Sequence, residues 1–448
     1  MAGAIAVLDV GKTNVKLALF APDGTLLWER STLNRVMPGP PYPHANVDAI
    51  WAFLIEALRD ASAAHRIGAI VPTTHACAGA FVDGVGLVLP VLDYEFAGVE
   101  EIEPLYAPLR PPYSETLSPQ LPVGLNQGRQ IAWQKQKFPE AFAGAKHYLI
   151  YPQYWSWRLT GVAASEVTML GCHSDLWAPI KGRPSSLAAK LDLPRLTPPF
   201  RRAWDRLGPV KPEVAARTGL DPDTGVLCGV HDSNASLLPH LASRKPPFTI
   251  VSTGTWVILM APGLGVGGLH EADDMLANVD VERRPTACAR FMGGREYGEI
   301  VGAAKGDADA IGRVIASGTM ALPSFAQQGG PFASRKGEIR GAVASCDRPA
   351  LATLYIALMT DLMLRGLGAG AGDLIVEGSF AGNLAYCGLL AALRPSQRVL
   401  AGDDSAGTAR GAALLARWPA SHPENAQERP IEASSIKALA AYRAAWNA

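Results

Sequence analysis

Four short segments carry residue types suited to gripping phosphate or moving a proton. The first is Asp9-Val10-Gly11-Lys12-Thr13-Asn14-Val15-Lys16. A carboxylate at the end of an apolar run is costly to bury unless a cation or hydrogen-bond donors meet it. Beside it, Gly11, Thr13 and Asn14 offer backbone N–H groups and a hydroxyl for phosphate oxygens, and Lys12 and Lys16 add positive charge. The second segment, Ser252-Thr253-Gly254-Thr255, offers the same chemistry. Each alone reads equally well as a plain turn whose polar side chains bond the backbone. The pair says more, because two phosphate-gripping turns can hold one triphosphate. The third is Gly229-Val230-His231-Asp232, where an apolar run ends and a small-residue helix begins. Asp232 has two readings there, the N-cap of that helix or a base whose ionised form the helix dipole favours. His231 by itself reads as a core histidine. The fourth, Gly378-Ser379-Phe380-Ala381-Gly382-Asn383, is a glycine turn between a buried strand and a helix. Open α/β sheets bind nucleotides at such turns.

Other chemistries lose on spacing. The six cysteines are scattered without a CxxC pair, which disfavours zinc ribbons and redox motifs. The nine histidines show no HxxxH or HExxH, and neither a GxSxG elbow nor a GxxxxGK[ST] loop occurs. One GxGxxG string, Gly263 to Gly268, opens no helical pattern. Lys+Arg and Asp+Glu both number 41, so nothing points to nucleic acid or an anionic membrane. Reduced-looking cysteines, no basic leader and no apolar run of about 20 residues predict a cytoplasmic protein.

The positioning elements follow from pattern. Ala4 to Leu8 and Val15 to Phe20 flank the first loop as two strands, and Phe248 to Val251 and Trp256 to Met260 flank the second in the same way. Asn46 caps a helix through Ile50, Leu54 and Leu58, with Gly68 as its stop. A helix over Leu351 to Met363 precedes the strand Asp373 to Glu377, and helices follow through Leu389 and Leu393 and over Thr408 to Arg417. The last of these is so rich in small residues that it should pack closely on a sheet. Ser243 to Pro247 reads as a linker. The prediction is an α/β fold of two duplicated lobes, residues 1–243 and 244–448, with the active site in a cleft between them.

In their order and spacing these segments resemble the FGGY carbohydrate kinases of the actin-like, ribonuclease-H-like superfamily. Ile131-Ala132-Trp133 and Tyr154-Trp155-Ser156-Trp157-Arg158-Leu159-Thr160-Gly161 add to the likeness. It implies a kinase using ATP and Mg²⁺. Asp9 would hold the metal through water, and Gly11, Lys12, Thr13, Asn14, Lys16 and Ser252 to Thr255 would bind phosphates. Adenosine would rest on Gly378, Ser379, Phe380 and Asn383. A small sugar would be held by His75, Asp93, His231 and Asp232, with Asp232 as catalytic base. His231-Asp232 and Ser252-x-Gly254-Thr255-Trp256 are similar to L-rhamnulose and L-fuculose kinases, implying transfer to the C1 hydroxyl of a 6-deoxy-ketohexose. The alternatives are a pentulose or polyol kinase, a silent sugar-sensing regulator, or a partner-switching ATPase. Three departures stand out. Asn14 replaces the usual Gly, and Asn tolerates positive φ well. Lys12 is unusual at its position, and the adenosine loop is poorer in glycine. The Pro-rich stretch 104–122 reads as a lid or as a dimer contact, and a homodimer is compatible with the second.

Overall fold

Residues 4–20 alternate their burial with the period of a strand. Ala4, Ala6, Leu8, Val15, Leu17 and Leu19 join one core cluster, and Ile5, Val7, Ala18 and Phe20 join another. Alternation with apolar residues on both faces demands a sheet covered on both sides. The computed structural model describes residues 3–306, 310–402, 407–419 and 428–448. Its chain forms two compact units: Met1–Arg244 with Asn278–Pro285 and Ala406–Glu424, and Lys245–Ala277 with Thr286–Ser405 and Asn425–Ala448. The chain leaves the first unit after Arg244, and two later segments return to it.

In the first unit, β1 (Ala4–Val10), β2 (Asn14–Phe20) and β3 (Leu26–Leu33) form an antiparallel meander. Helix α1 (Val47–Ala64) leads to β4 (Ile67–Thr74), parallel to β1. Helix α2 (Tyr151–Thr160) precedes β5 (Arg206–Pro209) and β6 (Gly225–Leu227), and the sheet order is β5-β6-β4-β1-β2-β3. A two-residue strand, Val230–His231, also pairs with β4 and runs into helix α3 (Asp232–Ser243). Asn46 caps α1 by accepting a bond from Ala49 N. Gly68, expected as the helix stop, instead lies inside β4, because the chain turns at His65 and enters the strand at once.

The second unit repeats the plan. Strands β7 (Thr249–Thr253) and β8 (Val257–Ala261) form the hairpin, followed by β9 (Met275–Val279), β10 (Pro285–Phe291) and helix α4 (Gly293–Val301). Helix α5 (Arg348–Gly366) precedes β11 (Leu374–Gly378), helix α6 (Leu384–Leu393) and β12 (Val399–Gly402). Helix α7 (Gly407–Leu414), β13 (Glu428–Pro430) and helix α8 (Leu439–Trp446) end the chain. The order is β9-β10-β8-β7-β11-β12-β13, with β11 parallel to β7 as β4 is to β1. The duplication predicted from two similar hairpins is therefore a duplication of sheets.

Helix α7 packs within the first unit. Its small residues bring it against α3, where a Cβ on Gly411 would lie 1.9 Å from Ala235 O. Ala409 and Ala412 join Ile5, Val7, Ala235 and Leu238 in one cluster. The close packing expected against a sheet is shared with a helix. The polar stretch 419–430 lies mostly outside the described residues.

Candidate active site

Asp9 is the penultimate residue of β1, opposite Lys16 on β2 and Thr73 on β4. The turn after it is tied by Gly11 N donating to Asn14 O at 2.9 Å. Asn34 reinforces it, donating from Nδ2 to Gly11 O and from N to Thr13 O, both at 2.8 Å. No residue from Gly11 to Asn14 has positive φ. Asn14 begins β2 in extended geometry, so its tolerance of the left-handed region is not what lets the turn form.

His231 and Asp232 stand at the end of a strand whose β4 partners are Thr73 and Thr74, immediately before His75. Asp232 is the first residue of α3, and the N-cap position belongs to His231 without a side-chain cap bond. Asp232 Oδ1 accepts from Ser233 N at 2.6 Å and Ser233 Oγ at 3.3 Å, and lies 3.0 Å from His231 Nε2. Burial pushes the Asp232 pKa up, but His231, His75 and the Ser233 N–H outweigh it and hold the group below its usual value. It is ionised at neutral pH. The Asp232 side chain keeps about a third of its surface, 33%, open to solvent.

Asp9 behaves oppositely. Burial, and next the Asp232 charge, push it up to about 7 against the opposing charge of Lys16. The two carboxylates are electrostatic neighbours. His75 is held below the ordinary histidine range by burial and sits edge-on to Tyr94 and tilted against Tyr151, with ring centroids 5.5 and 5.4 Å away. Its Nδ1 is 2.8 Å from Ala76 O. Asp93 pairs with Lys12, whose Nζ is also 3.1 Å from Glu95 and 4.6 Å above the Tyr94 ring. The structure thus joins Lys12 to Asp93, one of the residues read as sugar partners, and Lys16 to Glu29 at 3.4 Å. Asp9, partly exposed and raised first by burial and next by the Asp232 carboxylate, is the residue that could hold a magnesium ion. Among the described residues no group of three or more His, Cys, Asp or Glu could cage a metal.

In the second unit, Gly254 and Thr255 are exposed at the tip of the β7–β8 hairpin, while Thr253 is buried. The Thr253 hydroxyl donates to Glu377 O and accepts from Phe380 N at 2.9 Å, and Ser379 N donates to Thr253 O at 2.8 Å. Gly378, at φ +77°, lies so close that a Cβ there would stand 2.0 Å from Thr253 O. Thr253 therefore stitches the hairpin to the Gly378 turn. Phe380 is buried between Tyr297 and Tyr386, both at 5.3 Å, Ser379 is exposed, and Asn383 caps α6 through Tyr386 N. One neighbour escaped the sequence reading: the first turn of α4, where a Cβ on Gly294 would lie 2.1 Å from Gly254 O. This sets the positive end of a helix against the hairpin tip.

Also missed were Glu166 and Thr168, behind His231. Thr168 is fully buried, and its hydroxyl accepts from His231 N at 3.1 Å. Glu166 Oε2 accepts from Thr168 N at 2.8 Å and Thr168 Oγ1 at 2.5 Å. Burial pushes Glu166 up to about 7, against the Thr168 bonds and the Arg283 charge. An acid with a raised folded pKa binds extra protons in the folded state, so its stabilising effect falls as pH rises from about 4.5 to about 7. Urea unfolding at pH 5 and pH 8 should show the native protein losing about 3 kcal/mol more than Glu166→Gln. Equal pH slopes would remove Glu166 as the cause.

Two sheets of one order, each opening on a polar hairpin, define a two-unit actin-like fold. The chain belongs to the FGGY family of carbohydrate kinases. The model of the family's N-terminal domain matches residues 4–239, and that of the carbohydrate kinase FGGY C-terminal domain matches 245–426. A crystal structure of a carbohydrate kinase from Novosphingobium aromaticivorans is 35% identical, with TM-score 0.91 over 99% of both chains. A xylulose kinase from Rhodospirillum rubrum shares the fold at 18% identity and TM-score 0.82, covering 99% of this chain and 97% of its own. The L-fuculokinase of Escherichia coli (strain K12) is 26% identical over 268 residues, 57% of this chain and 56% of that protein. The match thus spans little more than half of that relative's length. Among the described residues no helix is long and apolar enough to cross a membrane.

Proposed function

We propose that this chain transfers the γ-phosphate of ATP to a hydroxyl of a small sugar, with Asp232 as the base. The observation that carries this reading is Asp232 itself, ionised, part-exposed, and bonded through Oδ1 to His231 and Ser233. Its Oδ2 takes the proton of the acceptor hydroxyl. That oxygen attacks the γ-phosphorus, the bond from phosphorus to the β–γ bridging oxygen breaks, and ADP leaves. The proton is later released to solvent. Such a transfer needs alignment and charge neutralisation more than covalent help. The Lys12 and Thr13 N–H groups of the first turn and the Thr255 N–H and hydroxyl of the second grip phosphates, since Gly11 N and Gly254 N are bonded within their own turns, and the α4 N-terminus reinforces the second. Lys16 contributes charge beside Asp9. Magnesium bound at Asp9 would supply positive charge to offset the phosphates. Adenosine is assigned to the Gly378–Asn383 turn, with Ser379 the exposed contact.

For the acceptor we favour a 6-deoxy-ketohexose such as L-fuculose or L-rhamnulose, phosphorylated at C1. The support is the L-fuculokinase likeness. His75 and Asp93 are the hydroxyl partners, while His231, buried and bonded to Asp232 and Asn234, acts on the sugar only through the base it holds. A pentulose or polyol is the second reading. The proposal is tested by ADP release with Mg·ATP across ketohexuloses, pentuloses and polyols. The expected result is fastest turnover on L-fuculose or L-rhamnulose. Faster turnover on a pentulose would keep the kinase and discard the branch. No sugar-stimulated release would favour the sensing regulator.

A further inference from the structure

We propose that Glu166 is a positioning residue for the Asp232 base, acting through the hydroxyl of Thr168. The inference rests on the kinase reading above and adds to it the groups that aim the base. A threonine hydroxyl has one proton to donate. Here it goes to Glu166 Oε2, at 2.5 Å. The oxygen must therefore meet the His231 N–H, 3.1 Å away, with a lone pair. The buried carboxylate thus fixes which way the hydroxyl points, and the hydroxyl pins the backbone one residue before Asp232.

A second tie starts from the same residue. Asn234 Nδ2 lies 3.4 Å from both Thr168 O and His231 Nδ1. A carbonyl only accepts, so the amide turned this way is the orientation that the Thr168 carbonyl demands. Facing a donor, His231 Nδ1 acts as an acceptor, which leaves its hydrogen on Nε2. From there it donates to Asp232 Oδ1, 3.0 Å away. Thr168 therefore governs His231 twice, through its N–H and through its tautomer, and His231 holds the base. Oδ1 is engaged in this way, which reserves Oδ2 for the sugar hydroxyl. Arg283 and Cys228 are among the titratable groups that face Glu166 electrostatically, and Arg283 sits in the returning segment Asn278–Pro285.

The competing explanation is local. Glu166 is also the N-cap of the short helix Val167–Leu170, accepting from Thr168 N. Thr168→Val separates the two, because it removes the hydroxyl and leaves the N–H of the cap. Thr168→Val, Thr168→Ser, Glu166→Gln and Asp232→Asn are compared on the panel sugar turned over fastest, with thermal unfolding alongside. Thr168→Val should lower kcat by about 10- to 100-fold with the KM for ATP little changed, and Thr168→Ser should restore most of it. Glu166→Gln should fall in the same direction. A kcat for Thr168→Val within about twofold of native, while Asp232→Asn is inactive, overturns the positioning role and leaves the base standing. If Thr168→Val does not fold, Glu166→Gln decides by the same criterion. A fully active Asp232→Asn overturns both readings.

Discussion

Asp232→Asn lowers kcat by about 10²- to 10⁴-fold, the usual loss for a removed general base, with the KM for ATP nearly unchanged. Asn has the same shape, and its Oδ1 still accepts from Ser233 N and His231 Nε2, the contacts that Asp232 makes. The fold and the start of α3 therefore persist. What disappears is an oxygen able to take a proton. The charge change has a second, independent effect. Asp232 is the second cause, after burial, that raises Asp9, so its neutralisation lowers the Asp9 pKa while burial still holds it up. Initial-rate ADP release with thermal unfolding on the same samples checks the first part, and the pH dependence of thermal unfolding checks the second. Near-native kcat in a folded protein would reduce Asp232 to a residue at the start of a helix.

Local pattern made the hairpins and their duplication legible. Strand alternation and a glycine turn are properties of neighbouring residues, so β1–β2 and β7–β8 could be read directly. Where neighbours did not decide, the reading stopped short. Lys12 carries a charge in sequence, but its partner Asp93 is 81 residues away, so its direction was invisible. Thr253 looked like a phosphate ligand by type. Its place in a strand turns its hydroxyl inward, to Glu377 and Phe380, more than 120 residues on. Thr168 meets His231 across 63 residues and left no local signal. The return of Asn278–Pro285 and α7 to the first unit is equally non-local. Apolar and small residues predict that α7 packs tightly, and only the coordinates supply the partner.

The second large effect lies in the other unit. Asp361→Ala should destabilise the protein by about 3–5 kcal/mol, the cost of removing one partner from a buried charge cluster. Asp361 is fully buried on α5, a helix with apolar residues around most of its circumference. A lone carboxylate could not stay there ionised. Three arginines meet it: Arg443 Nη2 of α8 at 2.8 Å, Arg365 Nε at 3.2 Å and Arg394 Nη1 at 3.6 Å. Arg394 is itself nearly buried, and it is further fixed by Ala369 O and Gln397 Oε1. Without Asp361 the three positive charges repel one another where Arg394 cannot reach solvent freely. Helix α8 should feel this most. Its other anchors include Tyr442 donating to Thr319 O at 2.5 Å and Trp446 Nε1 donating to Ala321 O at 2.7 Å, both neutral bonds. Amide exchange should therefore rise over Leu439–Trp446 before the rest of the unit, and Asp361→Asn, which keeps shape without charge, should recover only part of the loss. Urea unfolding gives the total. A loss below about 1 kcal/mol would mean that the cluster behaves as an exposed ion pair and that the two neutral bonds hold α8.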